Sequence, residues 1–207
     1  TLTDMNPTNV GKLGLAWEVN LGTNRVLEAT PVVIDGVMYT SGVAGRAYAF
    51  NAATGKEIWR FEPEVDMQVN RTVCCDMANR GVAVARGKVY VATLDAQLYA
   101  LDAKTGKVLW KADTVDDKTR GVNSTGAPEV AGNVVVIGNG GAEYDTRGYV
   151  SAFDLDSGKL VWRFHTVPRD PALGAQDHPD LGEAVKTWDP KSRWDIGGGG
   201  TPWDAIN

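Results

Sequence analysis

Three stretches of the chain align without gaps: 51–59 reads NAATGKEIW, 102–110 reads DAKTGKVLW and 154–162 reads DLDSGKLVW. Their tryptophans stand at 59, 110 and 162, a period of roughly fifty residues. Repetition at that spacing constrains the fold more than any single motif. Each copy must form one supersecondary unit that buries its apolar surface by stacking on its neighbours. An apolar strand precedes each copy (AYAFN, LYALD, VSAFD), followed by Asn or Asp, two variable residues, Ser or Thr, Gly and Lys. That order is hairpin chemistry: the Asx side chain caps the turn and the glycine supplies positive φ. Farther upstream, each repeat holds another strand pair around a glycine, in PVVIDGVMYTSG, VAVARGKVYVAT and PEVAGNVVVIGN. Four strands per repeat at this length is the period of a propeller blade.

The fold class predicted is therefore all-β, a β-propeller of four-stranded, tryptophan-bearing blades. Trp17, in GLAWEVNLG, marks an earlier partial copy, so about three to four blades are expected across residues 1–207. Propellers close with about 4–8 blades, which makes the chain part of a larger ring. Trp59, Trp110 and Trp162 are expected in the core between neighbouring blades, and GGGGTPWDAIN is expected to open another strand. The region 165–196, rich in Pro, Asp and Gly, breaks the pattern as an irregular excursion. Within it PDLGEAVKTW is expected to hold a short helix with Asp180 at its start and Pro190 beyond its end.

Composition narrows the partners. A net charge of −5 with no basic run excludes a phosphate-backbone or anionic-membrane binder, so nucleic acid is not an expected partner. No stretch has the length of a membrane-spanning helix. The first residues carry neither an apolar leader core nor an initiator methionine, so the chain is expected to have been processed or excised. Cys74 and Cys75, adjacent in RTVCCDMANRG, are the sole cysteines. Bonded to each other they would close a strained ring outside the usual disulfide spacing, so they are expected to serve a site rather than staple loops; two buried reduced thiols are the plain alternative. An oxidised pair would favour an exported protein.

Residues that the repeat does not require point to chemistry. Glu28 enters an apolar strand, Arg80 follows the cysteines, Thr125 lies in NSTGAP, Glu143 lies in GNGGAEYDTRG and Trp203 follows four glycines. All are expected near strand ends that face one mouth of the propeller. Singly they have ordinary roles; Arg80, for example, would neutralise Asp76. Together with the sulfur pair they form a pocket for a planar anionic ligand, with Glu143 a carboxylate suited to a hard cation. His165 and His178, the two histidines, both fall in the excursion, which leaves neither a His-rich zinc site nor a Ser-His-Asp arrangement. Gly138, Gly140 and Gly141 resemble a nucleotide loop, but no helix is expected after them, which removes the dinucleotide reading.

The motifs CCDMANRG, GGAEYDTRGYVSAFD and GGGTPW, in this order, resemble the amino-terminal part of the quinoprotein alcohol dehydrogenases, which use pyrroloquinoline quinone. The resemblance covers essentially the whole chain and implies an eight-bladed propeller. It implies that Cys74 and Cys75 form a vicinal disulfide over one quinone face and that Trp203 stacks on the other. Glu28, Arg80 and Thr125 would make polar contacts to the quinone, the backbone of Gly141 and Ala142 would approach it, and Glu143 would bind a calcium ion, or a lanthanide. Gly140 stands where some members carry serine. The implied reaction oxidises a small primary alcohol to an aldehyde by hydride transfer to a metal-polarised quinone, with a cytochrome c as electron acceptor, usually in the periplasm. The family's general-base aspartate would lie beyond Asn207, so no catalytic residue is assigned here, and the 207 residues alone are expected to be inactive without the remaining blades. A different class of protein, a non-catalytic envelope scaffold or assembly propeller, shares the tryptophan repeat but has no use for CCDMANRG.

Overall fold

The computed structural model describes residues 4–73, 76–115, 120–204 and 206. Among the described residues twelve strands form three four-stranded sheets. The first comprises β1 (Val32–Ile34), β2 (Val37–Ser41), β3 (Ala47–Asn51) and β4 (Glu57–Phe61). The second comprises β5 (Ala83–Ala85), β6 (Lys88–Ala92), β7 (Gln97–Asp102) and β8 (Val108–Asp113). The third comprises β9 (Glu129–Ala131), β10 (Val134–Gly138), β11 (Tyr149–Asp154) and β12 (Leu160–His165). Each sheet is an antiparallel meander in chain order, the blade the repeat predicts.

The hairpin turns form as their sequence dictates. Asn51 Oδ1 accepts from the backbone N–H of Thr54 at 3.0 Å, Asp102 Oδ1 from that of Thr105 at 2.8 Å, and Asp154 Oδ1 from that of Ser157 at 2.8 Å. The Thr105 and Ser157 hydroxyls, donating to the same carboxylates, hold Asp102 and Asp154 below the usual carboxylate range. In all three sheets the register slips by one residue just beyond this turn, at Ala49/Phe50, Ala100/Leu101 and Ala152/Phe153.

Side chains alternate across each sheet, and the middle sheet is buried on both faces. Val89 and Val91 of β6, with Tyr99 and Leu101 of β7, pack against Tyr39, Ala47 and Ala49 of the first sheet. Tyr90 and Ala92 of β6, with Leu98 and Ala100 of β7, pack against Val135, Ile137 and Phe153 of the third. Both faces are apolar, so these strands read as continuous hydrophobic runs rather than alternating ones.

Trp59 and Trp110 fasten one sheet to the next, and Trp17 fastens the segment before β1 to the first sheet. Trp17, Trp59 and Trp110 donate their indole N–H to the carbonyls of Ala52, Ala103 and Leu155, at 3.0, 2.9 and 3.1 Å. Each ring lies on the glycine of the following repeat's turn. A Cβ on Gly55, Gly106 or Gly158 would fall 2.6, 2.7 or 2.6 Å from the respective ring. The expectation of core burial holds for Trp59, at 7% exposure, but Trp162 on β12 is 44% exposed, since no glycine turn among the described residues covers it.

The excursion's short helix forms where expected, as α1 (Pro179–Ala184) with Asp180 in its first turn; its cap is His178, whose Nδ1 accepts from the Asp180 N–H. One further expectation is corrected. Among the described residues the GGGGTPW segment forms no strand. It folds back along the third blade, with a parallel bridge between Gly199 and Arg147.

Replacing Gly106 by Ala is expected to cost roughly 1–3 kcal/mol in urea unfolding, because the methyl meets the Trp59 ring at a positive φ of 69°. Gly87→Ala, at a similar φ of 72° but facing open space, should cost less, and the difference isolates the ring contact.

Candidate functional site

The segments that lead into the first strand of each sheet pair with one another. Thr30 N–H donates to the Arg80 carbonyl at 3.2 Å, and Arg80 N–H donates to the Thr125 carbonyl at 2.9 Å. A parallel bridge joins Thr30 to Gly81. This backbone belt runs across all three blades and brings Glu28, Arg80 and Thr125 together. Glu28 precedes β1 instead of lying within a strand as expected.

Arg80 is the centre of the cluster. Its Nη2 lies 3.0 Å from Glu28 Oε2 and its Nε 3.5 Å from Asp204 Oδ1, while its guanidinium carbon sits 4.7 Å from the centre of the Trp203 ring. The side chain is 17% exposed, which strengthens its ion pair relative to one in open water. The ordinary role open to Arg80, neutralising Asp76, is not the one it takes. Asp76 binds Arg25 at 2.9 Å, because the guanidinium of Arg80 is directed to Glu28 and Asp204.

Beside Arg80 lies a cavity of about 190 Å³, walled by Arg80, Thr125, Gly140, Gly141, Glu143 and Trp203 among others. The sequence-selected residues Arg80, Thr125, Gly141, Glu143 and Trp203 thus share one cavity. Glu28 touches it through Arg80, and Ala142 follows Gly141 in a short 3₁₀ turn, Ala142–Tyr144, without lining the wall. That turn is a helical element where none was expected. It spans three residues with no side-chain cap, so the dinucleotide reading stays excluded. Cys74 and Cys75 lie outside the described residues.

Glycine is required in this wall. A Cβ on Gly141, whose φ is 108°, would fall 2.2 Å from the Gly121 carbonyl oxygen, and one on Gly140 would fall 2.2 Å from Asn123 Oδ1. Asn123, 6% exposed, accepts the Gly140 N–H at 2.8 Å and holds the loop in place. Val73, Asp76, Asn123 and Thr201 also line the cavity and were not anticipated as site residues; all but Asp76 are uncharged, and Asp76 was read only as a neutralising partner. Among the described residues no three His, Cys, Asp or Glu side chains converge as a metal-binding group; the wall carries two carboxylates, Glu143 and Asp76.

A second polar cluster fixes the excursion to the third blade. Asp177 receives Arg147 Nη1 at 2.6 Å and His165 Nδ1 at 2.9 Å, with Arg169 Nη1 at 3.7 Å. Burial pushes the Asp177 carboxyl up, but the Arg147 hydrogen bond and the charges of Arg147, His165 and Arg169 outweigh it and hold the group below 3.8. His165 belongs to β12, not to the irregular region, while His178 lies within that region.

Comparison with known proteins gives this geometry its setting. The family model for the glucose/ethanol/alcohol dehydrogenase β-propeller domain, which carries the label PQQ, matches residues 1–195. The chain belongs to that family. It is 55% identical over 205 residues to the quinohemoprotein alcohol dehydrogenase ADH IIB of Pseudomonas putida, covering 99% of this chain and 29% of the relative. The crystal structure of the quinohemoprotein alcohol dehydrogenase from Comamonas testosteroni superposes with a TM-score of 0.93 at 46% identity, over 98% of this chain and 30% of that one. A europium-containing methanol dehydrogenase superposes with a TM-score of 0.83 at 36% identity, over 98% of this chain and 36% of that one. The chain therefore spans about 30% of the length of these quinohemoprotein relatives. Among the described residues no helix is long and apolar enough to cross a membrane.

Since the Asp177 carboxyl is lowered on folding, its contribution is full above the unfolded value and is lost as pH falls through the folded one. The melting-temperature gap between the protein and its Asp177→Asn variant should be widest above the ordinary carboxylate range and close progressively as pH falls below it, read by circular dichroism. A gap independent of pH would contradict this.

Proposed function

We propose that this chain supplies the quinone-holding mouth of a pyrroloquinoline quinone-dependent alcohol dehydrogenase. The observation that carries the reading is the convergence of Arg80, Thr125, Glu143 and Trp203 on one cavity from separate blades and the carboxy-terminal segment. The residues present fit such a cofactor. Trp203 offers a flat face, Arg80 a cation for a ligand carboxylate or quinone oxygen, and Thr125 with Gly141 hydroxyl and backbone groups at the rim. Glu143 would provide one oxygen ligand to a calcium ion or a lanthanide at the same wall. Cys74 and Cys75 would close the opposite face as a vicinal disulfide.

Such a quinone, held by Arg80, Thr125 and Trp203, would supply a hydride acceptor for the alcohol, and a metal held by Glu143 would supply Lewis acidity. The protein's part is to position and to neutralise. Glu28 and Asp204 orient the Arg80 guanidinium from two sides, so its remaining donor directions are set before a ligand arrives. Gly140 and Gly141 keep that wall free of side chains, which lets a flat ligand lie against the backbone. This reading includes a primary alcohol as substrate, a cytochrome c as electron acceptor, the remaining blades of the same protein for the general base, and a periplasmic location. An assembly or scaffold propeller would give no reason for Arg80 and Trp203 to meet at a cavity.

The test is a titration of the full-length protein with pyrroloquinoline quinone and calcium. Binding with alcohol-dependent dye reduction is expected. Glu143→Gln should weaken metal dependence by at least about tenfold while leaving the melting temperature within a few degrees. Absence of quinone binding, or a Glu143→Gln variant with unchanged calcium dependence, would contradict the assignment.

A further inference from the structure

The segment that carries Trp203 lies on three glycines, and we infer that Gly126, Gly138 and Gly148 are positioning residues that set the depth of the Trp203 indole in the cavity. The inference rests on the quinone-binding reading above and adds to it a set of residues that touch neither ligand nor metal.

Geometry carries the argument. From Gly200 to Asp204 the chain is held across the third blade at alternate carbonyls. A Cβ on Gly148 would lie 2.2 Å from the Gly200 oxygen, one on Gly138 would lie 2.0 Å from the Pro202 oxygen, and one on Gly126 would lie 2.8 Å from the Asp204 oxygen. The three glycines come from different places: before β9, at the end of β10 and before β11. The chain therefore crosses them in steps of two residues, with Trp203 between the last two contacts.

None of the three has a positive φ. Their backbones suit any residue, so turn geometry is not the reason for glycine here; the close approach of another backbone is. Ordinary contact between a methyl carbon and an oxygen needs roughly 3.5 Å, so a side chain at 138 would move the Pro202 carbonyl by about 1.5 Å. Trp203 is the next residue and must move with it.

Polar contacts fix the same segment lengthwise. Gly148 N–H donates to the Gly199 carbonyl at 2.9 Å and Thr166 Oγ1 to the Gly200 carbonyl at 2.6 Å. Thr125 Oγ1 donates to the Trp203 carbonyl at 3.2 Å, and Arg80 reaches both the Trp203 ring and Asp204. These bonds set the register, and the glycines set the height. A shift of about an ångström in a stacking group is enough to weaken a closely fitted site by an order of magnitude or more.

The experiment uses the full-length protein, stripped of cofactor, with binding of pyrroloquinoline quinone read by equilibrium dialysis and absorbance. Gly138→Ala should raise the dissociation constant at least about tenfold, Gly126→Ala by less, and Gly182→Ala, in open space on α1, not at all. In a Trp203→Ala background the Gly138→Ala penalty should fall below about twofold, a coupling that a merely structural role would not produce. A cooperative thermal transition of the apo variant checks folding. If Gly138→Ala fails to fold, Gly126→Ala carries the same comparison, with its penalty likewise vanishing without the indole. Unchanged affinity in the variant that folds, or a penalty that persists in full without the Trp203 side chain, overturns the positioning role. Failure of the unsubstituted protein to bind quinone overturns the functional reading itself, and the positioning role with it.

Discussion

Everything in this structure depends on one contact made three times: an indole laid over the glycine of the next repeat's hairpin turn, with its N–H bonded to the carbonyl three residues before that glycine. Trp17, Trp59 and Trp110 make it to Gly55, Gly106 and Gly158. The contact combines a large apolar burial with one directional hydrogen bond, so it fixes both the separation and the sliding register of adjacent sheets. The sheets themselves are short, with first strands of three residues, and would gain little stability in isolation. Stacking turns them into a continuous core in which Val89, Tyr90, Leu98 and Leu101 are all fully buried.

Once the blades are in register, the belt from Thr30 through Arg80 to Thr125 follows, since it links equivalent positions of three consecutive units. A functional site built on that belt draws single residues from distant parts of the chain without needing any of them to be near in sequence. It also inherits the rigidity of the core beneath it. The folded-back segment from Gly199 to Asp204 completes the arrangement by bringing an aromatic face and an acid to the same guanidinium. Charge is well distributed there: Arg80, little exposed, is compensated by Glu28 and Asp204, which lowers the cost of holding it away from water.

Much of this was legible in the sequence because it is written locally. The period, the Asx-to-Gly turns and the strand pairs each depend on residues within about ten positions of one another, and all three sheets appear where those patterns lie. The candidate residues Arg80, Thr125, Glu143 and Trp203 stood out because the repeat had no use for them, and they share a cavity. What escaped the sequence is what the stacking decides. Asp76 is four residues from Arg80, yet it pairs with Arg25, since the belt directs Arg80 elsewhere. Trp162 looks identical to its counterparts but is largely exposed, because its environment is set by what lies beside β12 and not by its own repeat. Asn123 and the seats at Gly126, Gly138 and Gly148 carry no charge and no repeat signature. Only a backbone lying against them reveals why they are so small. The cap of α1 was not read from the sequence for a similar reason: its acceptor is the imidazole of His178, a residue that carries no usual capping signal.

The central claim is that a flat anionic ligand lies on the Trp203 indole with Arg80 at its edge. A crystal structure of the full-length protein grown with pyrroloquinoline quinone tests it most directly. Planar density is expected parallel to the Trp203 ring, with the Arg80 guanidinium within hydrogen-bonding distance of its oxygens and Thr125 at its rim. Ligand density elsewhere on the propeller, with the space above Trp203 filled only by solvent, would contradict it.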